Sequence, residues 1–298
     1  MSYEKMTSKK SCETALLPLL IEPKMLSEHL KNPNILIFDL SQSQTFARAH
    51  VPGAIHLPYT RLIHGQPPAA GLLPPIQQLE TLFSDLGLSE EKHVIAYDDE
   101  GGGWAGRLIW TLDVLGHKNY SYLNGGIHAW LGDDLLTSKE ITVPTPLETM
   151  RSFTLHAEYM VEAQWLNEHL DDSNLVIWDA RSQAEFLGLR VYAERGGHIP
   201  GAKNYDWVLA MDRHHGLRLR DLHLIEAELA AIGIKGDKTV VTHCQTHHRS
   251  GLTYLIGKIL GWPHIKAYPG SWSEWGNTSS LPVQISDETG LPSAAVNQ

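Results

Sequence analysis

The chain has 298 residues, enough for two domains of ordinary size, and its 42% apolar and 19% charged content is that of a globular protein with buried cores. A formal net charge of −10 argues against nucleic acid or an acidic membrane as partner, so an anionic substrate would have to be drawn by a local field. No apolar run approaches the roughly 20 residues that a membrane crossing needs. The two cysteines, Cys12 in a polar N-terminal stretch and Cys244, argue against a structural disulfide and for a reducing compartment, the cytoplasm.

In chain order, the first predicted unit is LIEPKMLSEHLKNPNILIFDLS at 20–41, with a short apolar strand at 35–38. It returns as MVEAQWLNEHLDDSNLVIWDAR at 160–181, with a strand at 175–178. HVPGA at 50–54 returns as HIPGA at 198–202, after a longer loop. Further on, HVIAYDDEGGGWAGRLIW and YLNGGIHAW match TVVTHCQTHHRSGLTYL and YPGSWSEW, giving strands at 94–97 and 239–242. The chain is therefore read as a duplication, two copies of one fold. Short, wholly apolar strands separated by helical segments predict an α/β layer with a parallel sheet flanked by helices in each copy. The division is placed at 1–145 and 155–298, with a Thr- and Pro-rich linker over 137–153. The stretch after Ser279 is loose in composition.

Cys244 follows the strand at 239–242. It precedes a helical pattern with Leu252, Leu255, Ile256, Ile259 and Leu260 on one face. A cysteine at a strand-to-helix turn meets backbone N–H groups and the positive end of a helix, which stabilise a thiolate and attract anions. The polar neighbours Gln245, Thr246, His247, His248 and Arg249 mark a chemical site, and their amides are candidates for an anion nest around the sulfur. Cysteine-dependent phosphatases need five residues between Cys and Arg; here there are four, which suits a single sulfur atom better than a phosphoryl group. Arg249 is read as an anion donor, or else as one half of an ion pair that braces the loop. His247 and His248 are read as sources of positive field or proton shuttles, or as plain exposed loop residues. Their spacing with His243 and Cys244 is too cramped for a metal site, so none is expected. Asp179 closes a strand and recurs as Asp39, which favours a structural role with a possible part in ordering the cysteine loop. At an offset of 145, Asp99 stands opposite Cys244, so the first copy has no nucleophile and is expected to be catalytically silent.

FARAHVPGA at 46–54, the CQTHHR loop and AYPGSWSEW at 267–275, in this order within a tandem repeat, resemble the two-domain rhodaneses, the thiosulfate sulfurtransferases. The resemblance covers roughly 18–283, and the loop is similar to that of a bacterial subclass. It implies two tandem rhodanese-like domains and covalent catalysis by Cys244. The thiolate takes the outer sulfur of thiosulfate as a persulfide and passes it to a thiophile, cyanide or a thiol, without a cofactor. The vertebrate-type enzymes carry a substrate-binding Arg before an aromatic and Leu-Gly. Here Glu185 precedes Phe186, Leu187 and Gly188, so anion binding falls to Arg249, with Arg181 and Arg190 as further cations near the mouth. Trp272 and Trp275 are expected to be core residues, packed near the site or the domain interface. The alternatives are a 3-mercaptopyruvate sulfurtransferase, usually marked by a small neutral Cys-Gly-Ser-Gly loop, and a carrier that delivers its persulfide to a protein partner.

Overall fold

A computed structural model describes residues 16–286, so Cys12 lies outside it. The first domain runs β1 (Leu20–Ile21), α1 (Pro23–Ser27), β2 (Ile35–Asp39), α2 (Ser43–Arg48), β3 (Ile55–His56), β4 (His64–Gln66), β5 (Ala69–Leu72), α3 (Ile76–Asp85), β6 (His93–Tyr97), α4 (Gly103–Val114), β7 (Tyr120–Leu123) and α5 (Gly126–Gly132). The second runs α6 (Ala163–Glu168), β8 (Leu175–Asp179), α7 (Gln183–Phe186), β9 (Lys203–Asn204), β10 (Met211–Asp212), β11 (Arg218–Leu219), α8 (Leu222–Ala231), β12 (Thr239–His243), α9 (Arg249–Ile259), β13 (Ile265–Ala267) and α10 (Ser271–Trp275).

Each domain holds one parallel sheet, ordered β1-β7-β6-β2-β3 in the first and β13-β12-β8-β9 in the second. The strands carry β-branched and aromatic residues on both faces because helices cover both, and β6 is buried along its whole length. Where the second sheet would need a counterpart of β1, a single parallel bridge joins Met160 to Ala267. The four strands expected from the sequence are present, each extended by one residue to its polar end.

The registers correct one equivalence. Asp39 pairs with Tyr97 across β2 and β6, and Asp179 pairs with His243 across β8 and β12. The residue after β6, Asp98, is therefore the counterpart of Cys244, and the true offset is one residue longer than the gapless match that had selected Asp99.

The segment 137–153 contains no helix or strand but is fastened to the first domain. Leu147 N–H donates to Ser84 O at 2.9 Å, Arg151 N–H donates to Ser84 Oγ at 2.9 Å, and Phe153 packs edge-on against Phe83. Residues 280–286 are less loose than their composition implied. Leu281 is buried, and Gln284 and His198 exchange backbone hydrogen bonds at 2.9 Å.

The domains meet along α4 and α9. Every residue of α4 is buried, as is every residue of α9 from Ser250 to Gly257, so neither helix keeps the solvent face that an amphipathic pattern implies. Glycines permit the crossing. A Cβ on Gly106 would lie 2.2 Å from Gly251 O, and one on Gly251 would lie 2.4 Å from Gly103 O. Deeper along the same contact, Asp113 of α4 accepts from Tyr120 at 2.6 Å and from Tyr254 of the other domain at 2.7 Å, and pairs with Lys258 at 3.1 Å. The crossing brings the N-termini of both helices, and the loops before them, face to face.

Gly106→Ala is expected to cost about 1–3 kcal/mol by overpacking this contact. Gly132→Ala, with nothing within 4 Å of its Cβ, is expected to leave stability unchanged or slightly raised. Denaturant unfolding of the two variants side by side measures the difference.

Candidate active site

Cys244 sits one residue beyond β12 and is only 1% exposed. The loop from Cys244 to Arg249 curls because His247 adopts a left-handed backbone, φ 54°, which turns successive amides inward. α10 holds the loop from behind. Trp272 N–H donates to Cys244 O at 3.0 Å, and Ser273 N–H donates to Gln245 O at 2.9 Å. Cys244 N–H reaches Ser271 Oγ at 3.4 Å. Burial by itself would push the Cys244 thiol up. The Arg249 charge, the Ser250 hydroxyl and the amides of Ser250 and Thr246 outweigh it and hold the thiol below its ordinary pKa.

The first domain supplies an internal comparison. Asp98 Oδ1 accepts from the amides of Glu100 at 3.0 Å and Gly102 at 2.8 Å, and Oδ2 accepts from those of Trp104 at 2.9 Å and Ala105 at 3.0 Å. Glu100 and Trp104 are the counterparts of Thr246 and Ser250. The same amides that bind a carboxylate in one copy thus point at the sulfur in the other.

A family model for the rhodanese-like domain matches the chain twice, over residues 22–133 and 162–278. The chain belongs to the rhodanese family. It is 49% identical to a thiosulfate sulfurtransferase of Azotobacter vinelandii, over 91% of this chain and 98% of that one. It is 47% identical to a thiosulfate sulfurtransferase of Pseudomonas aeruginosa, over 90% and 98%. The solved structure of EanB shares the fold, with a TM-score of 0.80 at 20% identity, over 90% of this chain and 69% of that one. Relatives this close make the chain a sulfurtransferase with two rhodanese domains.

Around the rhodanese loop, the residues singled out from sequence take distinct places. Arg249, 20% exposed in its side chain, forms a bidentate pair with Glu185, Nη1 to Oε2 at 2.6 Å and Nη2 to Oε1 at 2.8 Å. The bracing geometry is thus present, and the brace is the very residue that stands where vertebrate-type enzymes have a cation. Burial would raise the Glu185 carboxyl, but the Arg249 contact more than offsets it and lowers its pKa. Gln245 Nε2–H donates to Tyr192 O at 3.1 Å, tying the loop to the segment before His198. Thr246 presents its carbonyl to Gly71 of β5, where a Cβ would come within 2.1 Å.

The histidines are not plain exposed loop residues. His247 is fully buried, with Nδ1 2.7 Å from Ser250 Oγ and its ring edge-on to Trp110 of the first domain at 4.5 Å. His248 stacks on Trp104 at 3.9 Å, meets Trp207 edge-on at 5.5 Å, and pairs with Glu100 at 2.8 Å, so the first domain grips it from two sides.

The expected cations at the mouth are placed differently. Arg181 is buried, bonded to Asp179 Oδ2 at 2.6 Å and Gly197 O at 2.8 Å, and lies 4.4 Å over the Trp272 ring. Its sequence position beside the loop concealed this inward turn. Arg190 is exposed, and among the described residues its guanidinium bonds nothing. Asp179 accepts from Arg181 N–H at 2.9 Å, as Asp39 accepts from Ser41 N–H at 2.8 Å, so its recurrence reflects a turn common to both copies. Burial opposes its charge, but Arg181 and His243 hold its pKa down, to about 2. Among the described residues, no group of three His, Cys, Asp or Glu is arranged to hold a metal ion.

Several contributors escaped sequence reading. Ser250, Ser271 and the first-domain residues Glu100, Trp104 and Trp110 all reach the loop, and Arg107 stands over the Trp110 ring. Of these, Glu100 alone carried a signal, being in the acidic run opposite the cysteine.

Asp179→Asn leaves the buried Arg181 unpaired and is expected to cost about 3–5 kcal/mol, read by urea unfolding at neutral pH. Asp179 has a lower pKa folded than unfolded, so its contribution is complete above about pH 4 and is lost as pH falls through about 2. The difference between wild type and variant should close over that window.

Proposed function

We propose that the chain is a thiosulfate sulfurtransferase in which Cys244 carries the sulfur. The thiolate attacks the outer sulfur of thiosulfate, the sulfur–sulfur bond breaks, and sulfite leaves with the electron pair, leaving a persulfide on Cys244. A thiophile, cyanide or a thiol, then attacks the terminal sulfur and returns the thiolate. The observation that carries this reading is the 1% exposure of Cys244 at the floor of an amide-lined turn. A donor can approach such a sulfur only end-on, through one atom, and the lined floor stabilises the anion before and after transfer. The first domain, with Asp98 filling its own amide turn, is catalytically silent and walls one side of the cleft.

Arg249 keeps three N–H donors beyond the two engaged by Glu185, enough to hold the sulfonate end of the donor. Gln245, Thr246, His247 and His248 shape the loop around it, and Arg190 stands outside the first ring of contacts. The bulky loop side chains favour thiosulfate over 3-mercaptopyruvate, whose carboxylated chain needs more room beside the sulfur. The exposed Leu189, Val191 and Tyr192, tied to the loop through Gln245, favour a second reading in which a protein accepts the persulfide. A thiol that must stay reduced and unpaired supports a reducing compartment, the cytoplasm, for this reading.

Intact-mass measurement after thiosulfate treatment is expected to show one added sulfur, retained in Cys12→Ser and abolished in Cys244→Ser. No adduct on the unsubstituted protein rules the mechanism out. At equal concentration, 3-mercaptopyruvate should turn over more slowly than thiosulfate. A persulfide that forms readily but reacts feebly with cyanide would favour the protein acceptor.

Arg249→Ala should weaken apparent thiosulfate affinity roughly 10- to 100-fold, the loss of one charge-assisted contact of about 1.5–3 kcal/mol. The persulfide's reaction with cyanide should slow much less. Equal effects on both steps would leave Arg249 with the bracing role alone.

A further inference from the structure

Arg107 of α4 is fully buried, yet no acid pairs with it among the described residues. Its donors go to carbonyl oxygens: Nη1 to Gly71 O at 2.8 Å, and Nη2 to Leu62 O at 2.9 Å and Leu72 O at 3.1 Å. An unneutralised guanidinium in a protein interior is costly, and tying down a hairpin does not require one. Its counterpart in the second domain is Thr253, which bonds locally to Ser250 O. The charge is thus a feature of the domain without the cysteine.

Its surroundings lie at the domain boundary. The guanidinium stands 4.6 Å over the Trp110 ring, the same indole that His247 meets edge-on. Gly71, which receives Nη1–H, abuts Thr246 of the cysteine loop, and Gly106, next to Arg107 in α4, abuts Gly251. Around Trp110, two buried nitrogens lack a hydrogen-bond partner, Arg107 Nε and His247 Nε2.

Hydrogen-bond counting then becomes restrictive. Ser250 Oγ contacts both the Cys244 sulfur and His247 Nδ1 but has one proton. For that proton to be given to the sulfur, Ser250 must accept from Nδ1–H, which leaves His247 either neutral with a bare Nε2 or doubly protonated. The opposite tautomer takes the hydroxyl proton to Nδ1 and leaves a thiolate without this donor. A cation sharing the Trp110 ring with His247 favours a bare ring nitrogen where no acceptor is at hand, at Nε2, and disfavours a second ring proton. Burial, followed by the Arg107 charge, lowers the His247 pKa.

We propose that Arg107, supplied by the domain without the nucleophile, is a positioning residue for Cys244: its charge selects the Nδ1–H tautomer of His247, which turns the Ser250 hydroxyl toward the sulfur. It acts through His247 and touches no substrate. The other charged or titratable groups around the sulfur and the ring are Arg249, His248 and His243, with Asp179 and Arg181 behind His243. The proposal rests on Cys244 being the working thiolate, but not on which donor supplies its sulfur.

The test uses the full chain and reads thiol ionisation by the pH dependence of iodoacetamide alkylation at Cys244, located by mass. Arg107→Met is expected to raise the alkylation midpoint by about one pH unit, and Arg107→Lys to restore at least half of that shift. His247→Asn keeps a donor at the Nδ1 position and tolerates the left-handed backbone, so its midpoint should stay near wild type. In that background Arg107→Met should add little. A shift of equal size in both backgrounds, or none in a folded Arg107→Met protein, overturns the proposal.

Should Arg107→Met not fold, nitrogen-15 NMR of the His247 ring in the unsubstituted protein decides. A protonated Nδ1 with a bare Nε2 is expected, and the reverse tautomer overturns the assignment. Neither readout uses a sulfur donor. Failure of the thiosulfate reading appears separately, as an absent mass gain on a protein whose tautomer and alkylation midpoint are as expected.

Discussion

Everything distinctive about this protein depends on backbone amides converging at a turn between a parallel strand and a helix. Such amides have no partners within the helix and must be satisfied from outside it. In the first domain the chain satisfies them with its own carboxylate, Asp98, which accepts four of them. In the second, the turn closes around a sulfur instead, and the amides of Thr246 and Ser250 favour its ionised form. A carboxylate is already an anion and fills the turn permanently. A thiolate fills it equally well but can gain and lose a further atom. One residue at the end of a strand therefore separates a turn filled by a carboxylate from one closed around a thiol.

The cysteine turn is held by both domains. His248 is clamped between Trp104 and Trp207 and paired with Glu100, and His247 rests on Trp110. The hairpin β4–β5 leans on the loop through Gly71. On the opposite side α10 and the Glu185–Arg249 pair complete the enclosure. Loop backbone that would fray in isolation is thus fixed on both flanks, which is what a rigid set of amide donors requires.

Much of this was legible before any coordinates. Two copies, four apolar strands and the strand-to-helix position of Cys244 follow from local pattern, because the period of apolar residues reports on burial directly. The Asp39 and Asp179 recurrence spoke for a shared turn, and both carboxylates do accept an amide two residues on. The gapless match failed by one residue at Asp99, because acidic neighbours give no internal landmark and only the strand register separates Asp98 from them. Arg181 looked like a cation at the mouth since linear proximity says nothing of which way a long side chain folds. Most of what is missing from a sequence reading lies across the domain boundary. Trp104 and Trp110 sit more than a hundred residues from the loop they touch, and no periodicity marks a residue that will pack against another copy.

The α4–α9 crossing has a consequence for how such a pair endures. Once Gly106 and Gly251 let two helices sink into each other, each lost its need for a polar outer face, and both became buried nearly all round. A half without its twin would present a bare apolar helix to water and would be prone to stick to whatever came near. Each copy has become the solvent shield of the other's inner helix.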